Sequence, residues 1–160
     1  HISRKIEETD AVLGGESSGG LTVRGHIHGK DSVYAAALLI EAVCALNKGP
    51  SAILADLSAM LGEHHSVEEN LVMTDQQKLC VQKAVMQAHK LPNFDQDISR
   101  VSYLDGCKVF FADDSFIVCR FSGTEPLLRL AAEAPTAEKA QTYCDVFRGF
   151  VERMCADGDT

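Results

Sequence analysis

Residues 101–132 read VSYLDGCKVFFADDSFIVCRFSGTEPLLRLAA, and this stretch decides the fold of the second half of the chain. Apolar runs with the alternating period of strands are separated in it by turn residues. Asp105-Gly106 is typical of a two-residue β-hairpin, and Asp113-Asp114 is typical of a turn between strands. We therefore predict antiparallel strands at 101–104, 107–112, 116–121 and 127–132.

Two amphipathic helices flank these strands. Thr74 and Gln77 make the pattern of a capping box, which predicts a helix over 75–89. A closing helix over 136–155 has a predicted buried side made of Ala140, Tyr143, Cys144, Phe147, Phe150, Val151 and Met154. Antiparallel strands with two helices predict an α+β domain at 74–160, which is long enough for a core of its own.

The first part of the chain has a different pattern. A short apolar strand over 11–13 is followed by loops rich in Gly and Ser. A helix over 32–46, which Asp31 or Ser32 can cap, comes next, and Ser51 is predicted to cap a second helix. The apolar residues of both helices recur at helical spacing, and we expect the helix over 32–46 to contribute to a core.

One strand and two helices leave that strand without a partner, which is costly for buried backbone groups. We therefore interpret 1–62 as the C-terminal part of an α/β domain whose beginning precedes this chain. Residues 63–73 are predicted to be a linker and the first strand of the next domain. The predicted fold class is thus α+β, preceded by the tail of an α/β domain.

Composition limits the function. Fifteen Lys and Arg residues against twenty-three Asp and Glu give a net charge of −8, whereas nucleic acids and acidic membranes require a clustered basic face. No apolar run approaches the roughly 18 residues of a membrane span, and the start lacks a signal-peptide pattern. The six cysteines are scattered without a C-x-x-C pair. We expect a cytoplasmic protein with reduced thiols and with no nucleic-acid or membrane partner.

The segment from Arg120 to Arg129 contains the first candidate site. Its hydroxyls, its glycine and two guanidinium groups suit a tetrahedral dianion. The residues alone favour the alternative, a Ser-Gly turn between strands that has exposed arginines. The order R-x-S-G-T-E-P-x-x-R, however, resembles the phosphate-binding loop of the α-D-phosphohexomutases, the family of phosphoglucomutase and phosphomannomutase. The resemblance implies the phosphate ligands Arg120, Ser122, Gly123, Thr124 and Arg129.

A second loop resembles the same family. Residues 14–20 read GGESSGG and are similar to the family's sugar-binding loop, usually written G-E-E-S-G. By this resemblance Glu16 and Ser18 hydrogen-bond two neighbouring sugar hydroxyls, for which a carboxylate and a hydroxyl are suited. Ser17 stands where many relatives have Glu. Without the resemblance, a Gly-Ser linker would explain the same residues.

Residues 25–32 read GHIHGKDS and resemble the family's H-I-x-x-K-D-G segment. The resemblance implies that His26 and Lys30 are catalytic basic residues near the substrate phosphate and the reacting hydroxyl. An imidazole can pass a proton near neutral pH, and an ammonium supplies a compact positive charge. A helix-start loop with incidental basic residues is the alternative. Ser32 replaces the family's usual Gly.

Family members have four domains, and this chain resembles the end of the third and the whole of the fourth. The fourth domain of the family has a fold like that of the TATA-binding protein. The phosphoserine loop T-A-S-H-N-P of the first domain and the magnesium loop D-G-D-x-D-R of the second do not occur in these 160 residues. No metal ligand is therefore predicted in this chain.

The resemblance implies a full-length enzyme that interconverts hexose 1-phosphate and hexose 6-phosphate, of glucose and/or mannose. It would act through a phosphoserine and a bisphosphorylated sugar, with magnesium and hexose 1,6-bisphosphate as cofactors. The expected partners of this chain are a phosphorylated hexose and the N-terminal domains that it lacks, and the chain alone is expected to be inactive. An amino-sugar mutase is one alternative, and a standalone phosphosugar-binding or regulatory module without catalysis is another.

Overall fold

The computed structural model describes residues 2–15, 19–27 and 29–156. In chain order its elements are α1 (Ile2–Thr9), β1 (Leu13–Gly15), β2 (Leu21–Val23), α2 (Ser32–Leu46), α3 (Pro50–Leu61), β3 (His65–Val72), α4 (Asp75–Val81), a π-helix (Gln82–Gln87), β4 (Ile98–Ser102), β5 (Cys107–Phe111), β6 (Phe116–Phe121), β7 (Leu127–Ala134) and α5 (Ala137–Ala156). The structure divides into two units, one up to Leu57 and one from Ser58.

An antiparallel sheet of five strands, in the order β3-β7-β6-β5-β4, forms the second unit. Along β5 and β7 every second residue is buried, and in β6 Ile117 and Cys119 are, because successive side chains of a strand point to opposite faces. The helix α5 packs on the buried face, where its residues Ala140, Tyr143, Cys144, Phe147 and Val151 are buried. The predicted α+β class, with one antiparallel sheet and two helices, is confirmed.

The capping box at the start of α4 is also confirmed. The Thr74 hydroxyl accepts a hydrogen bond from the Gln77 N–H at 3.2 Å, and the Gln77 side chain accepts one from the Thr74 N–H at 2.9 Å. The predicted single helix over 75–89 is wrong in its second half, where the backbone continues as the π-helix up to Gln87. The sequence has no Pro or Gly there that would indicate the change.

The predicted two-residue turn between β4 and β5 is wrong by one position in its register. Val101 lies opposite Val109 and Ser102 opposite Lys108, so the connection is longer than Asp105-Gly106 alone. Tyr103 is not part of the strand, and its ring stacks on His89 at a centroid distance of 3.9 Å. Contacts from outside the hairpin thus decide where the pairing ends.

In the first unit, the helix α1 was not predicted. The strand predicted at 11–13 is observed as β1, which begins only at Leu13. The expectation that this strand lacks a partner is wrong, because β1 pairs with β2, with Leu13 opposite Val23. Asp31 caps α2 by accepting from the Tyr34 N–H at 2.9 Å. The predicted cap at Ser51 is wrong, since α3 begins at Pro50, where a missing N–H costs nothing.

The helix α2 does not contribute to a core as predicted, because neither α2 nor the following α3 has a buried residue. The two-stranded sheet of the first unit presents too little surface to cover them. Their exposed large apolar side chains are Val33, Leu39, Ile40, Leu46, Leu54, Leu57, Met60 and Leu61. No single helix in the described part of the chain meets the length and hydropathy of a membrane span, and α2 and α3 meet it only jointly, across a bend of 82°.

Candidate phosphate-binding site

The strands β6 and β7 place the two predicted arginines side by side. Arg120 near the end of β6 lies directly opposite Arg129 of β7 in the antiparallel register. The neighbours Cys119 and Leu130 are buried in the core, so both arginines project from the opposite face of the sheet. A tight loop and a single register thus bring together the guanidinium groups that are nine positions apart in the sequence.

Hydrogen bonds close the loop between these strands. The Ser122 N–H donates to the Leu127 carbonyl at 2.9 Å, and the Leu127 N–H donates to the Glu125 carbonyl at 2.8 Å. The Pro126 carbonyl accepts from the Met73 N–H at 2.9 Å, which fixes the loop to the end of β3. The loop therefore has a defined shape without a ligand.

Donors at the tip of the loop remain available. Within the described residues, the N–H groups of Gly123 and Thr124 and the hydroxyls of Ser122 and Thr124 have no hydrogen-bond partner. Successive free N–H groups in a turn form a concavity that suits an anion. These donors follow Arg120 in the chain and precede Arg129.

The charges of the site also favour an anion. Like charges directly opposite each other in a sheet destabilise the pairing, and Arg120 faces Arg129. The Nε of Arg129 is buried and has no hydrogen-bond partner in the described part of the chain. A buried donor without a partner costs free energy, which a bound dianion would offset.

Two carboxylates that were not predicted as part of the site contact the arginines. Asp105 Oδ2 lies 3.5 Å from Arg120 Nη1, and Glu125 Oε2 lies 2.8 Å from Arg129 Nη2. Glu125 lies within the predicted loop but was not among its predicted phosphate ligands. Asp105 comes from the β4–β5 connection, and no local signal in the sequence joins it to Arg120.

Other cations on this face of the sheet lie on aromatic rings. The guanidinium of Arg100 is 4.0 Å from the ring centre of Phe110, and Lys108 Nζ is 3.5 Å from that of Phe116. Burial lowers the pKa of Lys108. These contacts distinguish Arg100 and Lys108 from Arg120 and Arg129, which contact carboxylates.

The second predicted set of residues belongs to the first unit. His26 Nε2 lies 2.9 Å from Asp31 Oδ2, and the His26 ring stacks on Tyr34 at 4.1 Å. The hydrogen bond with His26, together with the one from the Tyr34 N–H, lowers the pKa of Asp31. Asp31 was predicted only as a helix cap, yet it also orients the imidazole.

Lys30 is exposed, and the stem of its side chain lies against Gly20. A Cβ added at Gly20 would come within 2.5 Å of Lys30 Cδ, so the Lys30 side chain would have to shift. Glu16 and Ser18 lie outside the described residues, and their role as sugar ligands stays a prediction. In the described part of the chain, no three His, Cys, Asp or Glu side chains are grouped as metal ligands.

Comparison with known proteins identifies the family. Residues 1–60 match the model of phosphoglucomutase/phosphomannomutase, alpha/beta/alpha domain III, and residues 68–149 match that of phosphoglucomutase/phosphomannomutase, C-terminal domain. The chain belongs to the phosphoglucomutase/phosphomannomutase family. The resemblance inferred from the phosphate and sugar loops is therefore confirmed.

Individual relatives agree with this family. The chain is 28% identical to a Methanothermobacter thermautotrophicus protein named "Probable phosphoglucosamine mutase", covering 96% of this chain and 33% of the relative. It is 26% identical to "Phosphoglucomutase/phosphomannomutase" of Thermococcus kodakarensis, covering 91% of this chain and 29% of the relative. The crystal structure of a family protein from Burkholderia thailandensis superposes with a TM-score of 0.64 at 27% identity, covering 96% and 30%. The chain thus spans about a third or less of the relatives' length.

Proposed function

We propose that the full-length protein is a phosphohexomutase that interconverts hexose 1-phosphate and hexose 6-phosphate, with glucose and/or mannose as the sugar. Its reaction passes through a phosphoserine enzyme and a bisphosphorylated sugar. In this proposal the described chain positions the substrate and supplies no nucleophile. The observation that carries it is the pair Arg120 and Arg129, which lie directly opposite each other beside a loop with free donors.

The loop is suited to the phosphate that is not transferred. Two guanidinium forks can each bind two oxygens of a dianion, and hydroxyls and N–H groups can bind the remaining oxygen. Phosphoryl transfer depends mainly on positioning and electrostatic stabilisation. Correct orientation alone can lower a barrier by several kcal/mol. A phosphate-binding loop that contributes no reacting atom can therefore still be essential for the rate.

The first unit supplies the remaining residues in this proposal. Glu16 and Ser18 bind neighbouring hydroxyls of the sugar, while His26 and Lys30 lie near the substrate phosphate and the reacting hydroxyl. Asp31 holds the His26 ring in place through the hydrogen bond at 2.9 Å. Magnesium and hexose 1,6-bisphosphate are proposed for the full-length enzyme, where the metal ligands lie outside this chain.

A second candidate substrate is a hexosamine phosphate. The name of the Methanothermobacter relative supports it, whereas that of the Thermococcus relative supports glucose and mannose. The identities of 28% and 26% do not separate the two. The anion site would serve both cases, because the phosphate group itself is the same in all these sugar phosphates.

The test uses the protein encoded by the complete reading frame, assayed with glucose, mannose and glucosamine 1-phosphates, the matching bisphosphate and magnesium. We expect formation of a 6-phosphate, and we expect Arg129→Ala to raise KM strongly, because phosphate binding is lost. The 160-residue chain alone should give no product above the blank. If the complete protein does not convert any of the three sugars but still binds them, it is a binding or regulatory module.

A further inference from the structure

We propose that Asp105 and Glu125 compete with phosphate for Arg120 and Arg129 and so set the affinity of the site. The inference rests on the proposed function, because it concerns the same anion site. It concerns regulation of binding strength by residues of the chain itself. Neither carboxylate would touch the phosphate.

Glu125 occupies only part of the Arg129 fork. Its Oε2 contacts Nη2 at 2.8 Å, while the buried Nε of the same guanidinium has no partner within the described residues. A carboxylate or phosphate that binds side-on uses both of these nitrogens. The Glu125 carboxylate therefore binds only one of the two Arg129 nitrogens that a phosphate could bind.

Asp105 is held close to Arg120 by the packing of its own turn. The next residue, Gly106, has a φ of 79°, and a Cβ there would overlap the Cys119 carbonyl and come within 2.6 Å of Arg120 Cβ. This close approach fixes the turn against β6. The turn thus places the Asp105 carboxylate near the Arg120 guanidinium, at 3.5 Å.

Both ion pairs are weak enough to exchange. The side chains of Asp105 and Glu125 are 63% and 54% exposed, and exposed ion pairs contribute little free energy. A dianion attracts a guanidinium more strongly than a single carboxylate does, but it must also approach two negative charges. Removal of either carboxylate should therefore strengthen phosphate binding.

The experiment measures the dissociation constant of inorganic phosphate for the 160-residue chain and for Asp105→Asn and Glu125→Gln. We expect each variant to bind phosphate roughly two- to tenfold more tightly. Asp114→Asn is the matched control, because it removes the same charge from an exposed turn and asparagine tolerates its φ of 64°. The control should bind phosphate like the unmodified chain.

A carbon-13 signal of the Glu125 carboxylate provides a second measurement on the unmodified chain. It should shift during the phosphate titration, since the carboxylate leaves Arg129. The inference is overturned if both variants bind phosphate no more tightly than Asp114→Asn, or if the Glu125 signal does not move while the loop amides do. If the loop amides do not respond to phosphate at all, the proposed function itself fails.

Discussion

The helices α2 and α3 of the first half of the chain are more apolar than α5, yet only α5 buries one of its faces. Neither α2 nor α3 has a buried residue, whereas α5 buries five and contacts the five-stranded sheet. The difference shows that an apolar helical face predicts a helix but not its burial. Burial also needs a matching surface, which a two-stranded sheet does not provide.

The largest expected effect is on independent folding. Residues 63–160 should unfold in one cooperative transition, because they contain the whole sheet and both of its helices, while 1–57 should show no such transition. A fragment that begins at Thr74 is too short, since it lacks β3, which pairs with β7 over its full length. Circular dichroism of the separate fragments during urea unfolding checks this.

Hydrogen exchange on the whole chain tests the same contrast. Amides in β5, β6 and β7 should be the most protected, and those in β1 and β2 the least. Strong protection of β1 and β2 in a monomer would contradict the comparison. Protection found only in an oligomer would instead indicate strand pairing between chains.

A matched pair of alanine substitutions sharpens the contrast. Phe147→Ala in α5 removes a fully buried ring and should lower the free energy of unfolding by about 3–5 kcal/mol. Leu54→Ala in α3 removes a side chain that is 64% exposed and should change it by less than about 0.5 kcal/mol. Urea unfolding followed by fluorescence or circular dichroism measures both. Equal losses would show that α3 is packed as tightly as α5.

Two glycines with nearly the same backbone conformation give a smaller effect. Gly106 and Gly25 have φ values of 79° and 81°, so alanine is strained at both, by about 1–2 kcal/mol. At Gly25 an added Cβ meets nothing within 4 Å, whereas at Gly106 it collides with the backbone of β6. Gly106→Ala should therefore lower the thermal midpoint further than Gly25→Ala. The reverse order would contradict the packing of the turn on Arg120.

The smallest expected effect depends on pH. Hydrogen bonds from Lys139 Nζ at 2.6 Å and from the Ser115 hydroxyl hold the pKa of Asp113 well below its ordinary value. The ionised form therefore stabilises the folded state above about pH 4, and this contribution is lost as the pH falls further toward the folded-state pKa.

Asp113→Asn should lower the free energy of unfolding by about 1 kcal/mol at pH 7. The free energy of unfolding should then also fall less steeply as the pH is lowered. Asp31→Asn is the control in the first unit. The pKa of Asp31 is also lowered, by His26, but we expect no change in the acid unfolding of the second unit. Acid titration at several urea concentrations measures both variants. If Asp113→Asn leaves the pH dependence of unfolding in acid unchanged, ionised Asp113 does not stabilise the folded state.

Local signals were sufficient for several elements. The bounds of β6, the capping box at Thr74 and the buried side of α5 could be predicted, because the residues that decide each of them are close together in the sequence. The β1–β2 pairing and the β4–β5 register were predicted wrongly. Pairing of short strands depends on packing, such as that of Ile2 and Ile6 against Gly14, which no local pattern encodes.

The residues of the candidate site likewise divide into those that the local sequence predicts and those that only strand pairing brings into place. Arg120 and Arg129 could be predicted from the sequence, because one loop separates them and its residues make a specific pattern. Asp105 could not, since it reaches Arg120 only through the pairing of β5 with β6. Asn70 lies opposite Arg129 in β3, and that position is likewise set by the sheet alone.

The central claim is that the loop after Arg120 binds phosphate, and an amide NMR titration of the 160-residue chain with inorganic phosphate tests it most directly. Since the net charge of −8 repels anions at long range, a response must come from local geometry. We predict that Ser122, Gly123 and Thr124 shift first, that Arg120→Ala abolishes the response, and that Arg120→Lys restores part of it. The control Arg100→Ala, on the same face of the sheet, should leave the response intact. Largest shifts elsewhere, or an unchanged response in Arg120→Ala, would contradict the account.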